Sequence, residues 1–280
     1  MKLTSTWLKQ LPVENIVSCK NIHGGDTNQA YQVKASTQTY FMKVQPNNTV
    51  TYFDHEIRGL KEMAQAGVNT LKPLFHGQID GDAYLLLNWL ETDVGSQAAL
   101  GRQVAKLHQK HAEAFGFGDV TKNRVLIKDN NWNKSWVDFY VHQRLVPEVA
   151  AAKKLGRWND FRAEHFQRLV AKFSDYYAKH KVTPSLCHGD LWFGNVLFQK
   201  GQPYLIDPDA IYGDREFDLA MTTVFGGFNN QFYQSYYEEY PFDMNLAQRL
   251  DWYRFYYLCM HLCLFGESYG GAVDEILSHF

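Results

Sequence analysis

An α+β chain of two lobes is predicted by three observations. Strand-like runs fill the first part of the sequence, helical periodicities dominate after residue 96, and short apolar runs with carboxylate-bearing loops between them occupy Leu186 to Asp214. The expected division is a small N-terminal lobe over 1–88, built as an antiparallel sheet with one helix, a hinge over 89–95, and a larger, mostly helical lobe over 96–280. A chain of 280 residues that is 45% hydrophobic can bury cores of that size.

Taken in order, Asn15 to Asn21 and Ala30 to Ala35 read as strands around Ile22–Tyr31, a turn rich in glycine and small polar residues. Its Gly24, Gly25, Asp26, Thr27 and Asn28 suit a loop that presents backbone N–H groups to anionic oxygens, although Gly-Gly-Asp is also an ordinary hairpin turn. Tyr40 to Val44 is a strand with one charge, Lys43. Tyr52 to Gln65 is a helix whose Phe53, Ile57 and Leu60 mark an apolar face, and it carries Glu56. Ala83 to Leu90 is a buried strand running into the hinge, with Asn88, Trp89 and Leu90 at the junction. Helices are expected over Gln97–His111, Asn133–Leu155, Asp160–His180 and Leu246–Phe265, and a polar loop over Asn123–Asn133. The dense aromatics from Phe225 to Tyr269 read as core.

The chemistry concentrates in His188-Gly189-Asp190-Leu191-Trp192-Phe193-Gly194-Asn195, followed twelve residues later by Asp207. A His-x-Asp triplet, four residues and an Asn form the spacing of a kinase catalytic loop. Asp190 is placed to take the proton of an acceptor hydroxyl, and His188 to brace the loop. Asn195 and Asp207 offer the hard oxygens that Mg²⁺ prefers. Transfer of the terminal phosphoryl group of ATP would also need a cation at the phosphates, and Lys43 paired with Glu56 is that candidate. Asn88, Trp89 and Leu90 are where an adenine would meet backbone groups. No Walker A motif is present, which argues against a P-loop fold.

With these residues the chain resembles the fructosamine kinase (ketosamine-3-kinase) family, a branch of the protein-kinase-like fold that also includes aminoglycoside phosphotransferases and choline kinases. The resemblance runs through Gly24 to Tyr31, Tyr40 to Lys43, Glu56 to Leu60, Leu100 to His108, Pro184 to Asn195 and Asp207 to Phe228, and ends in His261-Leu262, Leu264-Phe265-Gly266 and Tyr269. It implies ATP-dependent phosphorylation of ketosamines at the 3-hydroxyl, with deglycation as the consequence. It also implies that Asp218 supports the catalytic loop from beneath. Trp192, Asp214, Arg215 and Glu216 are the substrate candidates; Trp192 either stacks on the sugar or packs within the lobe. Phe193, Met260 and Cys263 depart from the family pattern, and Asp209 is not carried over from it.

Lys+Arg of 28 against Asp+Glu of 30 gives a net charge of −2, with the basic residues dispersed, which argues against nucleic acid and anionic membranes as partners. No run approaches the ~18 apolar residues of a membrane span, and no secretory leader is recognisable. Four cysteines suit a reducing compartment, so a cytoplasmic enzyme is expected, as monomer or homodimer. Cys259, His261 and Cys263 do not share one helix face, which disfavours zinc. Gly266-Glu267-Ser268-Tyr269-Gly270 matches a nucleophile elbow, but too little chain follows to supply the Asp and His of a hydrolase. Two rivals stay open: a related kinase acting on an aminoglycoside or amino alcohol, and a non-catalytic nucleotide-binding module.

Overall fold

The computed structural model describes residues 3–22, 28–122, 126–242 and 245–280. In chain order the strands are β1 (Ile16–Ile22), β2 (Gln29–Ala35), β3 (Thr39–Gln45), β4 (Pro73–Ile79), β5 (Asp82–Asn88), β6 (Val120–Lys122), β7 (Ile127–Asp129), β8 (Ser185–Cys187), β9 (Val196–Gln199), β10 (Gln202–Leu205) and β11 (Ile211–Gly213). The helices are α1 (Ser5–Leu8), α2 (Asp54–Gln65), α3 (Gln97–His108), α4 (Trp136–Tyr140), α5 (Val146–Lys154), α6 (Asp160–Tyr177), α7 (Arg215–Val224), α8 (Asn230–Glu239), α9 (Leu246–Phe265) and α10 (Gly270–Leu277). The chain divides into two compact units, 1–95 with 197–207, and 96–196 with 208–280.

The first unit is a five-stranded antiparallel sheet in the order β1-β2-β3-β5-β4. Alternation along β3 sets its chemistry. Tyr40, Met42 and Val44 turn to one face and pack with Trp7, Leu11, Tyr31 and Val33. Phe41 and Lys43 turn to the other, where Phe53 just before α2, Ile57 and Leu60 within it, and Leu85 and Leu87 of β5 form a second core. That second core also takes Leu197, Tyr204 and Ile206. The β9–β10 hairpin, expected in the larger lobe, therefore groups with the first unit from Leu197 to Asp207. Two local ties explain why: Thr70 pairs with Leu205 through a parallel bridge, and the Asp93 carboxylate accepts the N–H groups of Lys200 and Gly201 at the hairpin turn.

The second unit is organised by α9, apolar around its circumference and therefore buried. Tyr253, Phe255, Tyr256 and Tyr257 are no more than 2% exposed, and Tyr140, Phe173 and Phe217 pack on them. The aromatic-rich segment is core, as expected. Asn133–Leu155 is not one helix: a π-turn over Val141–Leu145 separates α4 from α5. Pro147 gives the reason, since it has no N–H to offer the Gln143 carbonyl four residues back and its ring crowds that oxygen. The Arg144 guanidinium donates to the Gln143 carbonyl instead, at 2.9 Å. The 123–133 stretch, read as loop, is entered by β6 and contains β7, which pair as a short hairpin. Gly266, at φ +97°, ends α9 as the sequence suggested, and Glu267–Tyr269 is a single 3₁₀ turn rather than a strand-to-helix elbow.

Candidate active site

In the first unit Lys43 is 4% exposed, on the strand face that looks toward α2. Its ammonium donates to Glu56 Oε2 at 2.7 Å and to Asp207 Oδ1 at 2.5 Å. Burial alone would pull this ammonium down, but the two carboxylates outweigh it and hold Lys43 above its usual range. Burial pushes the Glu56 carboxyl up; Lys43 pulls it back, Asp207 adds repulsion, and the balance lies at about 7. Asp207 follows the β9–β10 hairpin in a left-handed conformation, φ +55°, uncommon for a residue with a side chain. The sequence thus named all three members of a cluster whose parts lie up to 164 residues apart.

The hinge candidates separate in role. The Asn88 N–H donates to the Lys72 carbonyl, and its side-chain oxygen accepts the Lys72 N–H at 2.6 Å, so Asn88 closes the sheet and its backbone donor is not offered to a base. Trp89 donates through its indole N–H to Glu91, and Leu90 is buried in the α2-side core. Gly24, Gly25, Asp26 and Thr27 lie outside the described residues. Asn28, at the entry to β2, has its side-chain oxygen buried with no hydrogen-bond partner among the described residues.

In the second unit, β8 pairs with β11 and delivers the catalytic-loop sequence directly after Cys187. The fully buried Asp218 carboxylate holds that loop by accepting the His188 N–H at 2.6 Å and the Gly189 N–H at 2.8 Å. Behind it, His108 Nε2 lies 3.1 Å from Asp218 Oδ2 and His108 Nδ1 lies 2.8 Å from the Tyr236 hydroxyl. Tyr257 donates to the Gly189 carbonyl from the other side. Gly189 has φ +84°, and a Cβ there would sit 1.8 Å from the Asp209 carbonyl oxygen, so no other residue fits. Asn195 then donates its amide to both the backbone oxygen and Oδ2 of Asp190, at 2.9 and 3.0 Å. That pair of bonds orients the carboxylate and leaves the Asn195 amide oxygen as the atom that could ligate a cation.

His108, Cys187 and Asp218 bring three metal-type donors within 4.8 Å of one another. Their bonds are to protein groups: both imidazole nitrogens and both carboxylate oxygens are engaged as described, and the Cys187 thiol contacts the carbonyls of Ser185 and Asp214. The cluster is the clamp of the loop.

Sequence reasoning missed Lys128. Lys128 pairs with Asp209, two residues past Asp207, and lies near the buried Arg144 and Glu148, so Asp209 serves a charge network behind the loop. The polar character of 120–133 was the only signal. Trp192 is 38% exposed, meets Phe225 edge to face at 6.2 Å, and lies over Gly194, where a Cβ would come within 2.1 Å of the indole. Phe193 packs on Phe228 in the same edge-to-face manner, while Met260 and Cys263 are buried in α9.

The substrate candidates Asp214, Arg215 and Glu216 lie apart from the loop that carries Asp190. Register places Gly213 opposite Ser185 and Ile211 opposite Cys187, so these three residues follow the end of the ladder away from His188. Asp214 caps α7 and accepts from the hydroxyls of Tyr177 and Tyr253 at 2.8 and 2.7 Å. Arg215 donates to the carbonyls of Tyr240 and Pro241, and Glu216 receives Arg249 at 2.6 to 3.1 Å.

Among the described residues no helix is long and apolar enough to cross a membrane. A family model described as fructosamine kinase matches residues 1–280. A probable ketoamine kinase of Lactiplantibacillus plantarum is 49% identical over 281 residues, covering 100% of both chains. A solved structure of a candidate fructosamine-3-kinase from Haemophilus somnus superposes with a TM-score of 0.84 at 25% identity, over 94% of this chain and 90% of the other. An aminoglycoside phosphotransferase solved with AMP-PNP and hygromycin B superposes with a TM-score of 0.71 at 14% identity, over 99% of both chains, a likeness of fold. The fold is thus that of the protein-kinase-like enzymes, with an antiparallel N-terminal sheet and a larger helical part.

Proposed function

Because the chain belongs to the fructosamine kinase family, a family of ATP-using phosphotransferases with alcohol acceptors, we propose that it phosphorylates ketosamines at the 3-hydroxyl and so initiates their removal from amines. The observation that supports this most directly is an intact catalytic loop, with Asp190 oriented by Asn195 on a frame fixed by Asp218, in a chain that the family matches from end to end.

Each residue then has a task its chemistry allows. Asp190 accepts the proton of the sugar hydroxyl as its oxygen attacks the terminal phosphorus, and the bond to ADP breaks. Asn195 keeps that carboxylate in one orientation, so no ordering is needed at the moment of reaction. Lys43, kept protonated and positioned by Glu56, binds phosphate oxygens. Asn195 and Asp207 each offer an oxygen of the kind Mg²⁺ takes, and the ion would neutralise phosphate charge. Trp89 and Leu90 are proposed to lie along the adenine, and the exposed Trp192 to cover an apolar face of the sugar.

The test is magnesium-dependent ADP release with a panel of acceptors: ribulose-lysine, fructose-lysine, kanamycin, choline and none. Release with the ketosamines alone is expected. Release only with kanamycin or choline would keep the phosphotransferase and overturn the acceptor. Silence across the panel together with a Mg–ATP-dependent rise in melting temperature would point to a nucleotide-binding module instead.

A further inference from the structure

The second unit contains a cleft of about 430 Å³ at the end of the β8–β11 ladder away from the catalytic loop. It is walled by the residues that follow α6, the start of α7, Tyr240 and the first turn of α9. Its volume is in the range of small-molecule sites, roughly 300–1,000 Å³, but its lining is largely polar and charged, which selects a different class of ligand.

The charges in the cleft are not balanced. Its carboxylates, Asp214 and Glu216, are both engaged from within: two tyrosine hydroxyls and the Glu216 N–H bond Asp214, and Arg249 pairs with Glu216 through two of its nitrogens. The cations are only half committed. Arg249 serves Glu216, and Arg215 is fixed over the Tyr240 ring at 3.8 Å with its guanidinium on two carbonyls. Lys179 and Lys181, on the rim, pair with no carboxylate among the described residues, and between them His180 stacks flat on Tyr176 at 3.9 Å. Four cations against two carboxylates leave the cleft with a surplus of positive charge on a chain of net charge −2. Thr183, Ser185 and Tyr240 line the same space.

We propose that this cleft binds a small phosphate monoester of sugar size, with the phosphate between Lys179 and Lys181 and the sugar hydroxyls toward Thr183, Ser185 and Tyr240. A flexible lysine suits a phosphate as a point charge, and the fixed floor of Asp214, Glu216, Arg215 and Arg249 gives the site a set shape. The site is separate from Asp190, and the inference does not depend on which acceptor the enzyme phosphorylates.

The experiment is calorimetric titration of the full chain, with saturating Mg–ADP present so that phosphates cannot report on the nucleotide site. The probes are ribose 5-phosphate, inorganic phosphate, citrate and ribose. Ribose 5-phosphate is expected to bind one to one, phosphate more weakly, and ribose not at all. The double variant Lys179→Glu/Lys181→Glu is expected to weaken ribose 5-phosphate at least about tenfold, a difference calorimetry resolves, while its melting-temperature response to Mg–ATP stays that of the parent. Absence of binding at millimolar ribose 5-phosphate would overturn the proposal, as would equal affinity in the double variant. Equal affinity for bare phosphate, or preference for citrate, would overturn the sugar-phosphate class.

Discussion

The two groups of residues proposed to carry phosphoryl transfer are held in different ways. In the first unit, Lys43, Glu56 and Asp207 are held by opposite charges, side chain to side chain, with one ammonium shared by two carboxylates. In the second, the loop of His188 to Asn195 is held by neutral donors on fixed geometry: backbone N–H groups on Asp218, a tyrosine hydroxyl on the Gly189 carbonyl, an amide on Asp190. The contrast suits the proposed roles. Arriving phosphate would change the charge around Lys43, and a lysine between two carboxylates can redistribute its bonds. A base needs one orientation, and a backbone frame would supply it.

The largest effect should come from the element the frame exists to present. Asp190→Ala is expected to lower turnover by roughly 10²–10⁴-fold and to leave the melting-temperature rise with Mg–ATP intact. Turnover near that of the parent would remove Asp190 as base.

Next in size is the cation. Lys43→Met should lower kcat/KM for ATP by about 10²-fold, the order of one lost preorganised charge contact, and should also destabilise the fold by leaving Glu56 buried beside Asp207. Lys43→Met/Glu56→Gln separates the two consequences. Its melting temperature should return toward the parent while its ATP affinity stays low, and recovery of both would break the distinction drawn between charge and frame.

Asp218→Asn probes the frame. An asparagine has one acceptor oxygen for two loop N–H groups, so a buried donor goes unpaired at a cost of about 1–3 kcal/mol. Denaturant unfolding should show that loss, and kcat should fall while KM for ATP holds. A rise in KM with kcat unchanged would mean that Asp218 acts on the nucleotide half instead.

How far these halves could be read beforehand differs for the same physical reason. Lys43, Glu56, Asp190, Asn195 and Asp207 were legible because strand alternation, helix periodicity and loop spacing are local rules that each residue obeys. The grouping of Leu197–Asp207 with the first unit was not, since it depends on Thr70 and Asp93 meeting a hairpin that follows them by more than a hundred residues. Asp214 and Glu216 stood out as substrate candidates because a charged run beside a catalytic motif looks functional in one dimension. In the fold the run turns away from the loop at Gly213 and is consumed by Tyr177, Tyr253 and Arg249. The π-turn at Val141 could have been read, because Pro147 was visible.

The smallest predicted effect draws the comparison finest, because Glu56 in the first unit and Glu216 in the second are both displaced to about 7. For Glu216 the first cause is burial, then repulsion from Asp214, opposed by the bonds from Arg249. Its usual value is 4.5, so between there and about 7 the folded chain holds a proton that the unfolded chain has released. Stability from this group is therefore full below the usual value and is lost as pH rises through about 7. Glu216→Gln removes the titration and keeps the shape, so part of the fall in melting temperature over that window should disappear. The ADP-release rate should change little, since Glu216 lies off the far end of the ladder from His188. Identical pH slopes for parent and variant would show that the Arg249 bonds keep Glu216 ionised throughout, and the charged side of the comparison would then extend into the second unit.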